Sequence, residues 1–146
     1  MSEEDRPLNE VYFFWMDKTI KAQNKAKNRL FKELGISLTS DQWIILKRLS
    51  EVEVQTQREL AESVFKDPAS LTRSLDILEK DGLTERKSAD RRSFTVHLTP
   101  KGKELVDRVI PEAAKFRLKG IAGVSDEEMK VFRKVLHTIY TNFSED

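Results

Sequence analysis

The chain contains no cysteine. Disulfide bonds, thiolate nucleophiles, thiol redox sensing and cysteine-ligated zinc are therefore excluded. Its 2 histidines, His97 and His137, lie far apart without a tight carboxylate cluster, so no metal site is expected. No G-x-G-x-x-G or Walker sequence occurs, and no serine completes a triad with His97 and Asp90. Nothing calls for an enzyme or a cofactor. No apolar run approaches the roughly 20 residues of a membrane span, and the start, MSEEDRPLNE, is acidic and polar, unlike a secretory leader. The expectation is a soluble, cytoplasmic protein. Neither sign of charge dominates: 26 Lys and Arg against 25 Asp and Glu give +1 over 146 residues. A uniformly basic coat and an acidic tail are both excluded, and any charge-based function must come from local segregation. The length fits one domain or one subunit. A hydrophobic share of 38% beside a charged share of 35% suits long amphipathic helices and a core completed by a partner chain.

The few glycines and prolines punctuate the chain. Pro7 to Leu34 reads as one long helix with proline in its first turn. Leu8, Val11, Tyr12, Trp15, Ala22, Ala26 and Leu30 form its stripe, widened by Phe13, Met16 and Ile20. Gly35 then ends it, with Ile36 folding back. Thr39 to Gln42 is a capping box opening a helix with Trp43, Ile45, Leu46 and Leu49 inside. Val52 to Val54 is an alternating stub, a turn or very short strand. Thr56 to Glu59 is a second capping box, before Leu60, Ala61 and Val64. Asp67-Pro68 starts a helix that buries Leu71, Leu75 and Leu78 and stops at Gly82. The period then switches to two. Leu83–Ser88 and Phe94–Thr99 are strands, the second with Phe94, Val96 and Leu98 on one face, joined by the polar tip 89–93. Thr99-Pro100 caps a helix reaching Gly120, with a kink expected at Pro111. Ser125 to Glu128 caps the last helix, which carries Met129, Phe132, Val135, Leu136, Ile139, Tyr140 and Phe143.

The order predicts a mostly α fold with a small β-hairpin wing. A short helix followed by a capped helix is a helix-turn-helix, and the hairpin directly after it is the wing. With the three leucines inward, the 100° step turns Ala69, Arg73, Asp76 and Lys80 outward, flanked by Ser70 and Thr72. Small residues and hydroxyls let the N-terminal half approach bases and phosphates, and Arg73 has the fork that reads guanine. The helix dipole favours phosphate at that end. Asp76, Glu79 and Asp81 repel it further along. Arg86, Lys87, Arg91 and Arg92 concentrate positive charge on the hairpin, where a narrow tip suits the minor groove. Asp90, two residues before Arg92, has the spacing to hold its guanidinium in a bidentate pair. The DNA-contacting set read here is Ala69, Ser70, Thr72, Arg73, Lys87, Asp90, Arg91 and Arg92. The competing reading is a winged-helix protein-binding module that never meets DNA.

Leu78-Glu79-Lys80-Asp81-Gly82-Leu83, Glu85-Arg86, Asp90-Arg91-Arg92 and Leu98-Thr99-Pro100-Lys101-Gly102, in this order, resemble the signature of the MarR family of bacterial transcription regulators. Leu38-Thr39, Gln42-Trp43 and Leu46 resemble the start of that family's second helix. The resemblance implies a homodimer, with dimerisation helices over 7–35 and 103–146 and a winged DNA-binding region over 39–102. Phe13, Phe14, Trp15, Phe132, Tyr140 and Phe143 exceed the needs of a small monomer and agree with this. It also implies double-stranded DNA as partner, no membrane, and a small aromatic or amphipathic effector in a cleft that here would involve Trp15, Met16, Ile20 and Trp43. The functional expectation is a ligand-responsive repressor on a palindromic operator. The family's cysteine-based peroxide sensing is excluded.

Overall fold

The computed structural model describes residues 3–52, 54–64 and 66–144. Six helices, α1 (Tyr12–Glu33), α2 (Ser40–Glu51), α3 (Gln57–Val64), α4 (Pro68–Lys80), α5 (Pro100–Gly120) and α6 (Asp126–Ser144), accompany three strands, β1 (Gln55–Thr56), β2 (Thr84–Ser88) and β3 (Phe94–Leu98). The chain divides into two compact units, Met1–Val109 and Ile110–Asp146.

The first unit builds its core from α2, α3, α4 and the sheet: Ile45, Leu46, Leu60, Leu71, Leu75, Leu78 and Val96 are fully buried. Local chemistry sets the helix ends. Thr39 and Gln42 exchange side-chain and backbone bonds at 3.2 and 3.0 Å, the full capping box. At α3 only half of the box forms. The Glu59 N–H donates to Thr56 Oγ1, and the Glu59 carboxylate accepts from that hydroxyl, both at 3.0 Å. Gly35 takes φ 70°, and the N–H groups of Gly35 and Ile36 reach back to Lys32 O and Phe31 O, which is a Schellman ending.

Three expectations need correction. Pro7 does not open α1. It precedes a separate 3-10 turn, Leu8–Glu10, and an extended Val11 intervenes before Tyr12. Of the long apolar stripe of α1, this chain by itself leaves Tyr12 and Trp15 exposed, and Phe31 is the helix's buried residue. The stub at Val52–Val54 is not the strand. Glu53 lies outside the described residues, and the pairing falls at Gln55↔Val96 and Thr56↔Thr95. Alternation misled here because the inward residue is polar Gln55, buried, while Val54 is exposed. The hairpin is thus the larger part of an antiparallel three-stranded sheet ordered β1-β3-β2. Finally, Phe94 does not join Val96 in the core: half of it is exposed at the outer end of β3.

Between α4 and α5 lies a tight junction. Gly82 (φ 77°) ends α4, with the Gly82 and Leu83 N–H groups on Glu79 O and Leu78 O. The next helix start then takes the turn's carbonyls. Lys101 Nζ donates to Asp81 O at 2.8 Å and the Thr99 hydroxyl to Gly82 O at 2.6 Å. The Thr99 N–H donates to Leu83 O at 3.1 Å, while Thr99 Oγ1 caps α5 through the Gly102 N–H at 3.0 Å. Helix and turn approach so closely that a Cβ on Gly102 would sit 2.1 Å from Leu83 O. The Leu-Thr-Pro-Lys-Gly run is therefore a clamp.

The second unit comprises the rest of α5, which continues as helix through Pro111, and α6. Ser125 and Glu128 form a full capping box at 3.0 and 3.1 Å. None of the described residues of α6 is buried, and Val131, Phe132 and Val135 are about half exposed or more. Among the described residues, no helix is long and apolar enough to cross a membrane.

Candidate nucleic-acid interface

The three leucines of α4 fix its orientation: Leu71, Leu75 and Leu78 are buried completely. Ala69, Arg73, Asp76 and Lys80 are consequently turned away from the core, with Ser70 and Thr72 half-buried beside them, the face the helical step predicts. α3 is tied to it by Gln57 Nε2, which donates to Thr72 Oγ1 at 2.9 Å. The turn between them is anchored on α2 by Lys66, 2.9 Å from Asp41.

The N-terminus of α4 is capped by its own side chains. Asp67 accepts from the Ser70 N–H at 2.9 Å and from the Ser70 hydroxyl at 2.6 Å, and Arg73 Nη2 donates to Ser70 Oγ at 3.1 Å. The Ser70 hydrogen bonds, with lesser help from the charge of Arg73, hold the Asp67 carboxyl below its usual range. At this helix end the Asp67 carboxylate lies beside the turn that the sequence offers to phosphate. It also changes the chemistry open to the two hydroxyls. The Thr72 hydroxyl donates to Pro68 O at 2.9 Å, as Ser70 does to Asp67. Phosphate oxygens only accept, so either hydroxyl must release its internal partner to donate to one. Arg73 and the Ala69 methyl remain the open groups, with Arg73 drawn towards the N-terminal end by Ser70.

β2 and β3 pair from Thr84↔Leu98 to Ser88↔Phe94. At the tip, Asp90 Oδ1 accepts the N–H of Arg92 at 2.9 Å and of Ser93 at 3.1 Å. These bonds, that of Arg92 first, lower the Asp90 pKa. The bidentate pair expected between Asp90 and the Arg92 guanidinium is not formed. Within so tight a turn the short carboxylate meets the backbone first. Arg91 and Arg92 are exposed, and no ion pair among the described residues holds either guanidinium. Lys87 is exposed, 3.5 Å from Glu85.

Arg86, which the sequence groups with the basic tip, belongs elsewhere. Its Nη2 lies 2.6 Å from both Asp76 Oδ1 and Glu79 Oε2, and Nε reaches Glu79 Oε2 at 3.1 Å. The acids that should repel DNA are thus partly neutralised from within. Sequence alone does not reveal this cluster, because it joins residues in different elements. Between α3, α4 and the wing runs an open groove of ≈ 1190 Å³, bordered by Gln57, Pro68, Arg86, Arg92 and Phe94. No motif marks Gln57 or Phe94 as part of the site. Their only signal in sequence is position, directly after the Thr56 cap and at the outer end of β3.

The four residues expected to share a ligand cleft have different surroundings. Trp43 is core, whereas on α1 Trp15 and Ile20 are about half exposed and Met16 is intermediate between them and the core. The Trp15 indole donates to Asn9 O at 2.6 Å, and Lys18 Nζ lies 4.9 Å over its ring.

Comparison with known proteins places this geometry. The MarR family model matches residues 38–94, from the start of α2 to the outer end of β3. The solved transcriptional regulator PA3341 is 32% identical, with 91% of this chain and 98% of that chain covered and a TM-score of 0.77. A MarR family regulator from Silicibacter pomeroyi shares the fold at 24% identity, over 100% of this chain and 99% of that one, with a TM-score of 0.81. BpsR of Bordetella bronchiseptica, whose DNA binding is regulated by 6-hydroxynicotinic acid, shares it at 19% identity over 97% and 99%, with a TM-score of 0.85. The buried leucines of α4, its exposed outer face, the wing with its open arginines, and a 32% identical regulator aligned over nearly its whole length lead to one conclusion: the chain belongs to the MarR family of winged-helix, DNA-binding transcription regulators.

Proposed function

We propose that the chain acts as a homodimer which binds a palindromic operator in double-stranded DNA and represses transcription by occupying it. α4 of each subunit enters the major groove by its N-terminal half, with Arg73 as base reader. The wing lays Arg92, assisted by Arg91 and Lys87, on the flanking minor groove or its phosphates. The half-sites lie about one helical turn, roughly 34–36 Å, apart. The observation that carries this reading is the outward Arg73 on a helix whose opposite side is wholly buried. Arg73→Ala should cost about 1–3 kcal/mol on a duplex selected by the protein from a random pool, and much less on unselected DNA. Equal losses on both would overturn Arg73 as reader. A protein-binding module would show no preference for the selected duplex, and any residual log K would hardly vary with log salt.

The dimer rests on the apolar side chains left uncovered in the single chain, Val131, Phe132 and Val135 on α6 and Tyr12 on α1, in the two segments 7–35 and 103–146. Association and folding are then coupled. Sedimentation at low micromolar concentration should return about twice the 17.0 kDa subunit mass. A folded monomer there would remove the dimer.

Repression is relieved by a small aromatic or amphipathic effector. The aromatic acid that regulates BpsR supports this class. Trp15, Met16 and Ile20 on α1 are the side chains offered to it, with Trp43 in the core. The effector must favour one of two arrangements of the recognition helices, since equal affinity for both shifts nothing.

A further inference from the structure

We propose that Arg86 is a positioning residue for DNA binding: it touches no DNA, but latches the wing to the recognition helix and so sets where Arg92 reaches. The proposal rests on the wing reading above and deepens it.

Three features of the geometry support a latch. First, Arg86 stands in the middle of β2, opposite Val96, and Val96 is completely buried, so the strand position beneath the guanidinium is fixed. Second, its fork spans two positions on one face of α4. Nη2 lies 2.6 Å from Asp76 and from Glu79, and Nε adds a second bond to Glu79. Asp76 and Glu79 are three residues apart, the spacing that brings side chains together on a helix. Third, the backbone takes part as well, since the Arg86 N–H also reaches Glu79 Oε1 at 3.4 Å. The Arg86 side chain is 23% exposed, unlike the open arginines of the tip. An arginine whose fork already faces two carboxylates has little left for phosphate, and leaving the site would strand both acids beside the DNA. The pairing is mutual: hydrogen bonds from Arg86 hold the Glu79 carboxyl below its usual range.

A hairpin joined to its domain at one end sways at the other. The clamp at Thr99 holds the base of the wing, and Arg86 holds its middle on α4. The tip then keeps one distance from the recognition helix, so that Arg73 and Arg92 arrive together.

The test compares Arg86→Ala, Arg92→Ala and the double variant, in the full chain, on the selected duplex. Arg86→Ala is expected to weaken binding about tenfold and to speed amide hydrogen exchange in 84–98 while α2 is unchanged. Added to Arg92→Ala, it should cost no more than about a further twofold, because the contact it positions is already gone. Losses that multiply, or a salt slope reduced by about two further units per dimer in the double variant, would make Arg86 a DNA contact and overturn the latch. Unchanged exchange in the wing would overturn it as well. Should Arg86→Ala fold poorly, Asp76→Asn with Glu79→Gln opens the latch from the other side. Simple electrostatics has that variant binding DNA more tightly. The latch requires faster wing exchange and weaker binding, and tighter binding with a quiet wing refutes it. If Arg92→Ala alone leaves binding intact, the wing reading fails by itself, and wing exchange in the Arg86 variant still decides whether the latch exists.

Discussion

Gly102→Ala is expected to cost at least about 3 kcal/mol of folding stability, a large share of the roughly 5–15 kcal/mol that holds a domain together. The added methyl would lie 2.1 Å from Leu83 O and 3.1 Å from its carbonyl carbon. Those are backbone atoms, and the same carbonyl accepts from the Thr99 N–H, so they cannot turn aside as the end of a long side chain would. Relief requires the start of α5 to withdraw from the turn, which breaks the bonds from Thr99 to Gly82 O and Leu83 O. At about 2–4 °C per kcal/mol for a chain of this size, thermal unfolding by circular dichroism should move down by roughly 10 °C. Gly120→Ala is the control. Nothing lies within 4 Å of a Cβ there, and alanine is the better helix former by up to about 1 kcal/mol, so the same substitution should be neutral or stabilising. Equal melting temperatures for Gly102→Ala and the parent would mean that the clamp is not tight.

Arg92→Ala should weaken binding to selected and unselected DNA alike. It should also lower the salt slope by about one unit for each phosphate that the arginine neutralises, hence about two per dimer. Asp90 supplies the more discriminating experiment. It is the acid at the tip, and charge alone argues that Asp90→Ala tightens DNA binding. The structure argues the reverse, because the Asp90 carboxylate orders the Arg92 and Ser93 backbone. Asp90→Ala should therefore reproduce part of the Arg92→Ala defect. Asp90→Asn keeps an oxygen for those N–H groups and drops the charge, so it should bind at least as well as the parent. Fluorescence anisotropy across a salt series separates the three variants. Tighter binding by a folded Asp90→Ala would reduce Asp90 to an ordinary turn residue.

Much of this is legible in the residues because its causes are local. Capping boxes act over three positions, and those at Thr39 and Ser125 form in full. The leucines of α4 repeat on one face, so the periodicity that buries them also turns Arg73 outward. Illegible features depend on partners distant in sequence. Arg86 meets Asp76 and Glu79 only after the Gly82 turn has brought strand and helix side by side, and from sequence its charge counts simply as one more at the tip. β1 is two residues long, too short to show any period, and a buried Gln55 erases what alternation there is. Ser70 and Thr72 do stand at the margin of the outer face, but sequence does not show where a hydroxyl proton goes. The apolar stripe of α1 is visible as a pattern, yet a pattern cannot distinguish a face covered by its own chain from one left open.

The clamp at the foot of the wing fixes where the hairpin can change length. The junction uses Asp81–Leu83 and Thr99–Gly102, and everything between is a ladder standing on that base. Adding or deleting one residue in each strand near the tip would invert the facing of the side chains beyond the change. Adding two to each strand preserves the faces and lengthens the hairpin by about 7 Å. The reach of the wing can thus be changed in paired steps beyond Ser88 and Phe94, while the foundation of the hairpin keeps its fixed spacing.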